Sequence, residues 1–444
     1  MGKSNLKKGL FKLTGPIFIE TLLLMLMGAV DTFMLGQYDD NAVGAVGVVN
    51  QLVTFAFLIF QIINVGTTVL CSQFLGAGRR DKMIQVTGVA LLINIVCGIV
   101  VSAGLYFGAS PLLKMMGLRG EMMPYGMNYM EIVGAFAFFQ AIHMTISASL
   151  RADKKAIYPM LVIMVVNVVN ILGNYTLIFG NFGAPELGVE GAAISTVLGR
   201  GTAMVLLLII LFRKHISSFP MKLFRPFPWH ELKNLLKIGV PSAGENMSYN
   251  IQQIVLVYFI NQLGNVELVT RSYIVNFVMF VYLFAICVAQ GGSILIGHLI
   301  GEKKPHAAFV LGKYVMRSSL IVSVLLSLLW ALLGNTLFTS LTNNTEIIEL
   351  GCTILMVDIL VEAGKSINIY ATTALRSTGD VFFPFYLGVV VQWGVGILFG
   401  YMFGIYFGWG LIGIWFSMFL DESIRGLVFV HRWNSMKWMK KSFV

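Results

Sequence analysis

Nearly uncharged runs of about 20 residues, each long enough to cross the hydrocarbon core of a bilayer as a helix, recur along the whole chain. Such runs leave few folds open. A backbone cut off from water must satisfy its own polar groups, and a helix does so within one segment. About twelve runs meet the length criterion: residues 14–36, 42–75, 83–108, 122–150, 157–180, 188–212, 236–261, 268–300, 310–333, 347–375, 382–404 and 409–431. Charged residues make up 12% of the chain, against roughly 25% in soluble domains, and the mean hydropathy is +0.81. The predicted fold class is therefore an all-α polytopic membrane protein with twelve transmembrane helices.

Adding 225 to a residue number in the first half finds a matching motif in the second. Pro16 and Glu20 return as Pro241 and Glu245, Gly76 before a basic cluster returns as Gly301, Leu150-Arg151 as Leu375-Arg376, and Pro159 as Pro384. In so apolar a chain, duplication of this kind points to a transporter built from two repeats around a site between them. Near the end the offset slips, with Gly188 and Gly191 answering to Gly410 and Gly413. The predicted domains are an N-terminal six-helix lobe over 1–212, a cytoplasmic linker over 213–235, and a C-terminal six-helix lobe with a basic tail over 236–444. Six is even, so the two repeats are parallel and pseudo-symmetric.

The net charge of +10 reflects topology rather than affinity for nucleic acid. Lys3, Lys7, Lys8, Lys12, Arg79, Arg80, Lys82, Arg151, Lys154, Lys155, the linker, Lys303, Lys304, Arg376 and the tail alternate with loops poor in Lys and Arg. The positive-inside rule then puts both termini in the cytoplasm, and the chain is expected in the inner (cytoplasmic) cell membrane as a multi-pass protein. The first helix is expected to act as an uncleaved signal-anchor. The linker's amphipathic run from Trp229 to Lys237 predicts a short helix on the membrane surface, and the basic tail predicts attraction to anionic headgroups. Cys71, Cys97, Cys287 and Cys352 read as packing residues.

Ionisable and amide groups at membrane depth are costly, so each is a functional candidate. Glu20 and Asp31 lie about three turns apart on one helical face, and the position duplicating Asp31 is Leu256. Asn167, Asn170 and Asn174 share another face in the fifth span. A carboxylate facing two amides can take a proton, or can hold sodium with help from a hydroxyl such as Ser195 or Thr196. Alternatively the asparagines only tie helices together. In the second lobe, Glu245, Asn246, Asp358, Glu362, Lys365 and Asn368 are the polar set, and Glu362 and Lys365 are spaced to pair. They read either as a gate responsive to cations or as a static lock. Glu20 and Glu245 read first as packing residues and then as cargo ligands. His143 reads as a hydrogen-bonding core residue or as a proton carrier.

Pro16-Ile-Phe-Ile-Glu20, Val30-Asp31-Thr32, Ala42-Val-Gly-Ala-Val-Gly, Ser72-Gln-Phe-Leu-Gly76, the asparagines of the fifth span, Gly188-Val-Glu-Gly-Ala-Ala and Leu375-Arg-Ser-Thr-Gly-Asp380 together resemble the multidrug and toxic compound extrusion (MATE) family. The resemblance covers essentially the whole chain. It implies export of cationic amphiphilic compounds in exchange for H+ or Na+ by alternating access, with no cofactor beyond the coupling ion. It also implies a first-lobe ion site at Asp31, Asn170 and Asn174, which would be the metal ligands if the ion is sodium. Lys365 falls near the acid expected in the family's tenth helix, a departure that leaves Glu362 one turn away as its substitute.

The alternative of the same superfamily is a flippase for a lipid-linked saccharide or other amphiphile. It would be expected to carry a more cationic cavity than the acids of this chain supply. An enzyme would need a nucleophile with its base or a metal-binding helix, and a pump would need a phosphate-binding P-loop; none is apparent in the sequence. The expected partners are small organic cations and membrane lipids, with no nucleic acid, for a chain working as a monomer.

Overall fold

In the computed structural model of the protein, residues 3–216 and 219–444 are described, without the side chains of 3–6 and 221. The readings that rest on Met1, Gly2, the Lys3 side chain and the linker's Ser217 and Ser218 lie outside the described residues. The described residues are helical, with no strand among them. The helices are α1 (Lys3–Gly36), α2 (Asp40–Gly76), α3 (Arg80–Phe107), α4 (Ala109–Met115), α5 (Met122–Ala135), α6 (Ala137–Ala152), α7 (Ile157–Leu177) and α8 (Val189–Ile210). They continue as α9 (Trp229–Leu263), α10 (Asn265–Gly301), α11 (Pro305–Leu341), α12 (Thr345–Thr378), α13 (Phe382–Val391), α14 (Leu398–Tyr401) and α15 (Gly410–Asn434). Among the described residues, eight helices are long and apolar enough to cross a membrane, and the bent pair α5–α6 makes a ninth such span.

Two compact units organise the chain, Gly15–Gly239 in one and Met1–Thr14 with Val240–Val444 in the other. The change of unit falls just before Pro16 within α1 and just before Pro241 within α9, so both repeat prolines lie inside helices. In the Gly15–Gly239 unit, α2, α3, α5, α6, α7 and α8 pack on one another. Asn94 of α3 donates to Asn64 of α2 (3.2 Å) and to Thr145 of α6 (2.7 Å), joining three helices by buried polar groups. In the other unit α12 is central, packed by α10, α11 and α15. Its first turn is capped by Asn344, which accepts from the Glu346 amide at 3.0 Å.

Small residues set the closest approaches. Gly66 of α2 faces the backbone of Leu235, and a Cβ at Gly239 of α9 would collide with the carbonyl oxygen of Ile62. Gly239→Ala should therefore cost about 1–3 kcal/mol through overpacking. Thermal unfolding in detergent would show this as a lower midpoint, and an unchanged midpoint would mean that the crossing is looser.

One expectation is corrected, and two of the expected spans are irregular within. The amphipathic run from Trp229 is not a separate surface helix, for it forms the first turns of α9 and continues through Pro241. The span over 122–150 is broken, with two helices meeting at 47° around Phe136. There the Phe138 amide donates to Ser102 Oγ at 3.1 Å, so the broken ladder keeps a partner. The span over 382–404 is wound wide, with π-type turns at Gln392–Ile397 and Met402–Tyr406. In the tail, Trp433 and Trp438 are buried and stacked at 4.4 Å, which gives its aromatic residues a packing role.

Candidate functional site

Helix α7 carries two fully buried asparagines, Asn170 and Asn174, one turn apart. Gly173 lets α8 approach them, because a Cβ there would strike the Ser195 side chain, and Ser195 Oγ donates to the Asn170 carbonyl at 2.8 Å. From α1, half-buried Asp31 reaches this face, and Asn174 Nδ2 donates to its Oδ1 at 2.5 Å and more weakly to Asn170 Oδ1 at 3.5 Å. The Asn174 Oδ1 and Asn170 Nδ2 atoms are buried without partners. An amide offers both donors and an acceptor. As placed, Asn174 serves a carboxylate; turned over, its oxygen would accept from a protonated Asp31 or join the other oxygens around a cation. The same constellation can thus serve either charge state of one carboxylate.

Other sequence candidates of this unit lie elsewhere. Asn167 donates back to the Ile163 carbonyl at 2.9 Å and does not join the cluster. Thr196 is buried beside Tyr129, which also faces Asn50. Glu20 does not share a site with Asp31: it pairs with Arg151 of α6 at 3.1 Å. His143 is buried with both ring nitrogens unpartnered. One group near Asp31 has no counterpart in the sequence reading of this site. Arg200, whose guanidinium lies 5.2 Å from the Phe57 ring, is within electrostatic range of Asp31 and has one unpartnered nitrogen.

In the unit formed by Met1–Thr14 and Val240–Val444, Glu245 pairs with Arg376 at 2.5 Å, the duplicate of the Glu20–Arg151 pair. Asn246 is half-buried next to it. Lys365 Nζ lies 2.8 Å from Glu362 Oε1 and 5.1 Å from the Tyr282 ring, while Glu362 Oε2 is buried without a partner. Asp358 accepts from Trp415 Nε1 at 3.0 Å, and Asn368 donates to Glu422 at 2.6 Å, both on α15. That helix brings a charge cluster absent from the candidate set. Arg425 grips Asp421 through two nitrogens at 3.0 and 2.6 Å and Glu422 at 3.1 Å. The run Asp421-Glu422-Ser-Ile-Arg425, inside an otherwise apolar span, was its signal.

The expectation that no nucleophile sits beside a base needs correction. Ser149 Oγ lies 2.9 Å from His215 Nε2, and His215 Nδ1 lies 3.0 Å from Asp153 Oδ2. Ser149 is fully buried and also bonded to Thr87 at 2.8 Å, so the arrangement pins the chain after α8 and leaves no approach for a substrate. Asp153 lies in the loop after α6. Burial raises its pKa, but the hydrogen bonds from His215 and Lys155 outweigh that and hold it at about 2. A carboxylate depressed in this way adds stability above its unfolded pKa near 4, and the contribution is lost as pH falls toward 2. Asp153→Asn should cost on the order of 1–2 kcal/mol at neutral pH after solvent screening, and should flatten the acid limb between pH 4 and 2. Unfolding midpoints across that range check this; parallel curves for both proteins would contradict it.

Comparison with known proteins agrees with the duplication. The MatE family pattern matches residues 16–176 and 241–402, two segments that begin at the repeated prolines. "Uncharacterized transporter YisQ" of Bacillus subtilis (strain 168) is 39% identical over 434 residues, covering 97% of this chain and 95% of that one. "Probable multidrug resistance protein NorM" of Thermotoga maritima is 26% identical over 445 residues, covering 99% and 94%. A solved transporter of the MOP superfamily from Pyrococcus furiosus shares the fold, with a TM-score of 0.89 at 18% identity and coverage of 98% and 97%. With its helical repeats, its apolar spans and a family pattern running through both halves, this chain belongs to the multidrug and toxic compound extrusion (MatE) family of membrane transporters.

Proposed function

We propose that the protein is an antiporter that exports cationic amphiphilic compounds in exchange for H+ or Na+ by alternating access, as a monomer in the cytoplasmic membrane. The observation that carries this reading is the Asp31–Asn174–Asn170 constellation, a carboxylate held by amides whose remaining polar atoms are buried and idle. Ion binding there changes the charge and the hydrogen-bond demand of α1 together, which is what an ion switch requires. Asp31, Asn170, Asn174 and the nearby Thr196 form the ion-coupling set in this proposal, with no bound cofactor.

The proposed topology has twelve spans with both termini in the cytoplasm. Nine come from the long apolar helices with α5–α6 taken as one. The other three are α9, α12 and α15, whose polar residues are engaged in the ion pairs of Glu245, Glu362 and Arg425. A cationic cargo is favoured by the acid excess of the buried set Asp358, Glu362, Asp421 and Glu422 over Lys365 and Arg425. Glu362, Lys365, Asn368, Glu245, Asn246, Glu20 and His143 are the proposed gating or cargo candidates.

The test is transport in proteoliposomes of a fluorescent organic cation and, separately, of a fluorescent lipid-linked saccharide. Efflux of the cation under an imposed H+ or Na+ gradient supports the antiporter. Movement of the lipid alone, independent of either gradient, would replace it with the flippase reading.

A further inference from the structure

Where the linker turns into α9, a cavity of about 490 Å³ opens within the Gly15–Gly239 unit. Its walls are firmly built. Gln85 Nε2 of α3 donates to the Leu223 carbonyl at 2.6 Å, Lys82 Nζ pairs with Glu231 Oε1 at 2.8 Å, and Phe224 lies on Gly88, where a Cβ would collide with its ring. The charges of the lining do not cancel. Lys82 and Glu231 neutralise each other, leaving Lys222 and Arg225 exposed, with no carboxylate partner among the described residues, against the single exposed Asp81. The first turn of the 35-residue helix α9 also lines the cavity, where the Glu231 carboxylate, its Oε2 buried without a partner, offsets part of the positive charge of the helix start. At the rim Trp229 is 71% exposed, with its ring set edge-on to Phe227 at 4.9 Å.

We propose that this cavity binds a phosphate group, with Lys222 and Arg225 supplying the charge and Trp229 an amphipathic ring at its edge. Two unpaired cations, a helix start and an exposed indole in one preformed cavity suit the phosphate of an amphiphile at a membrane surface, and the same cations suit a soluble phosphate ester. None of the cavity's lining residues belongs to the ion-coupling set or to the charge cluster of α12 and α15. The site does not depend on which ion or cargo the transporter uses.

The experiment uses the full chain in detergent. Phosphatidylglycerol binding is measured by native mass spectrometry with phosphatidylcholine as reference, and glycerol 3-phosphate binding by thermal shift. Lys222→Glu with Arg225→Glu should weaken phosphate binding roughly thirtyfold. Lys233→Glu with Lys437→Glu, the same charge change at exposed positions outside the cavity, should leave it within about twofold if the effect is local. A response to phosphatidylglycerol alone identifies a lipid headgroup, and an equal response to glycerol 3-phosphate identifies a soluble ester. Binding of neither ligand, binding unaffected by the cavity substitutions, or equal weakening by the control pair would overturn the proposal.

Discussion

Replacing Asp31 by asparagine is expected to abolish gradient-driven export while leaving the fold and the capacity to bind cargo in place. Asparagine has nearly the volume of aspartate, and the Asn174 amide that now donates to Asp31 Oδ1 can donate equally to an amide oxygen there. What disappears is the titratable charge. Moving a two-state transporter from about 10% to 90% in one state requires roughly eightyfold differential affinity of the driving ion. Loss of the group that carries this bias should reduce coupled efflux by about two orders of magnitude, to the uncoupled leak. Cargo binding measured on the purified variant should change far less. Coupled export at the native rate would remove Asp31 from the mechanism.

The largest effect on stability is expected from Arg425→Met. Arg425 is buried on α15 with both nearby acids, and it makes three contacts of 3.1 Å or less with Asp421 and Glu422. Methionine keeps much of the volume but leaves two buried carboxylates without their cation, a change that costs about 3–5 kcal/mol. In detergent this should appear as an unfolding midpoint lower by on the order of 10 °C. Neutralising the acids as well, with Asp421→Asn and Glu422→Gln, should recover most of the loss, since the penalty arises from the unpaired charges. A single variant with the native midpoint would mean that water reaches the cluster.

The sequence made the helices and the repeat legible because both depend on patterns along the chain. Apolar length announced most spans, and a constant offset put Glu20, Arg151, Glu245 and Arg376 at matching places. Their pairing across 131 residues in each half needed the folded helices to appear. Asp31 stood out because its duplicate is a leucine. Nothing local in the sequence ties Arg200 to Asp31, and only the fold brings them within electrostatic range. Asp421, Glu422 and Arg425 escaped notice because each lies within a turn of the others on one helix, and only the fold shows them buried together and bonded to Gln252 and Asn368 of other helices. Ser149 and His215 are separated by 66 residues and meet through the turn after α8, so no spacing rule could join them. The bend at Phe136 has neither proline nor glycine at its apex, and its support from Ser102 comes from another helix.

Obligatory exchange is tested most directly by driving the ion with the cargo. Proteoliposomes containing the native protein would be loaded with a dye sensitive to H+ or to Na+, and an organic cation gradient would be imposed with no ion gradient present. Cargo movement should then drive one of the two ions in the opposite direction, with no such flux in vesicles carrying Asp31→Asn. Cargo movement without flux of either ion, or the same flux in both proteins, would contradict antiport through Asp31.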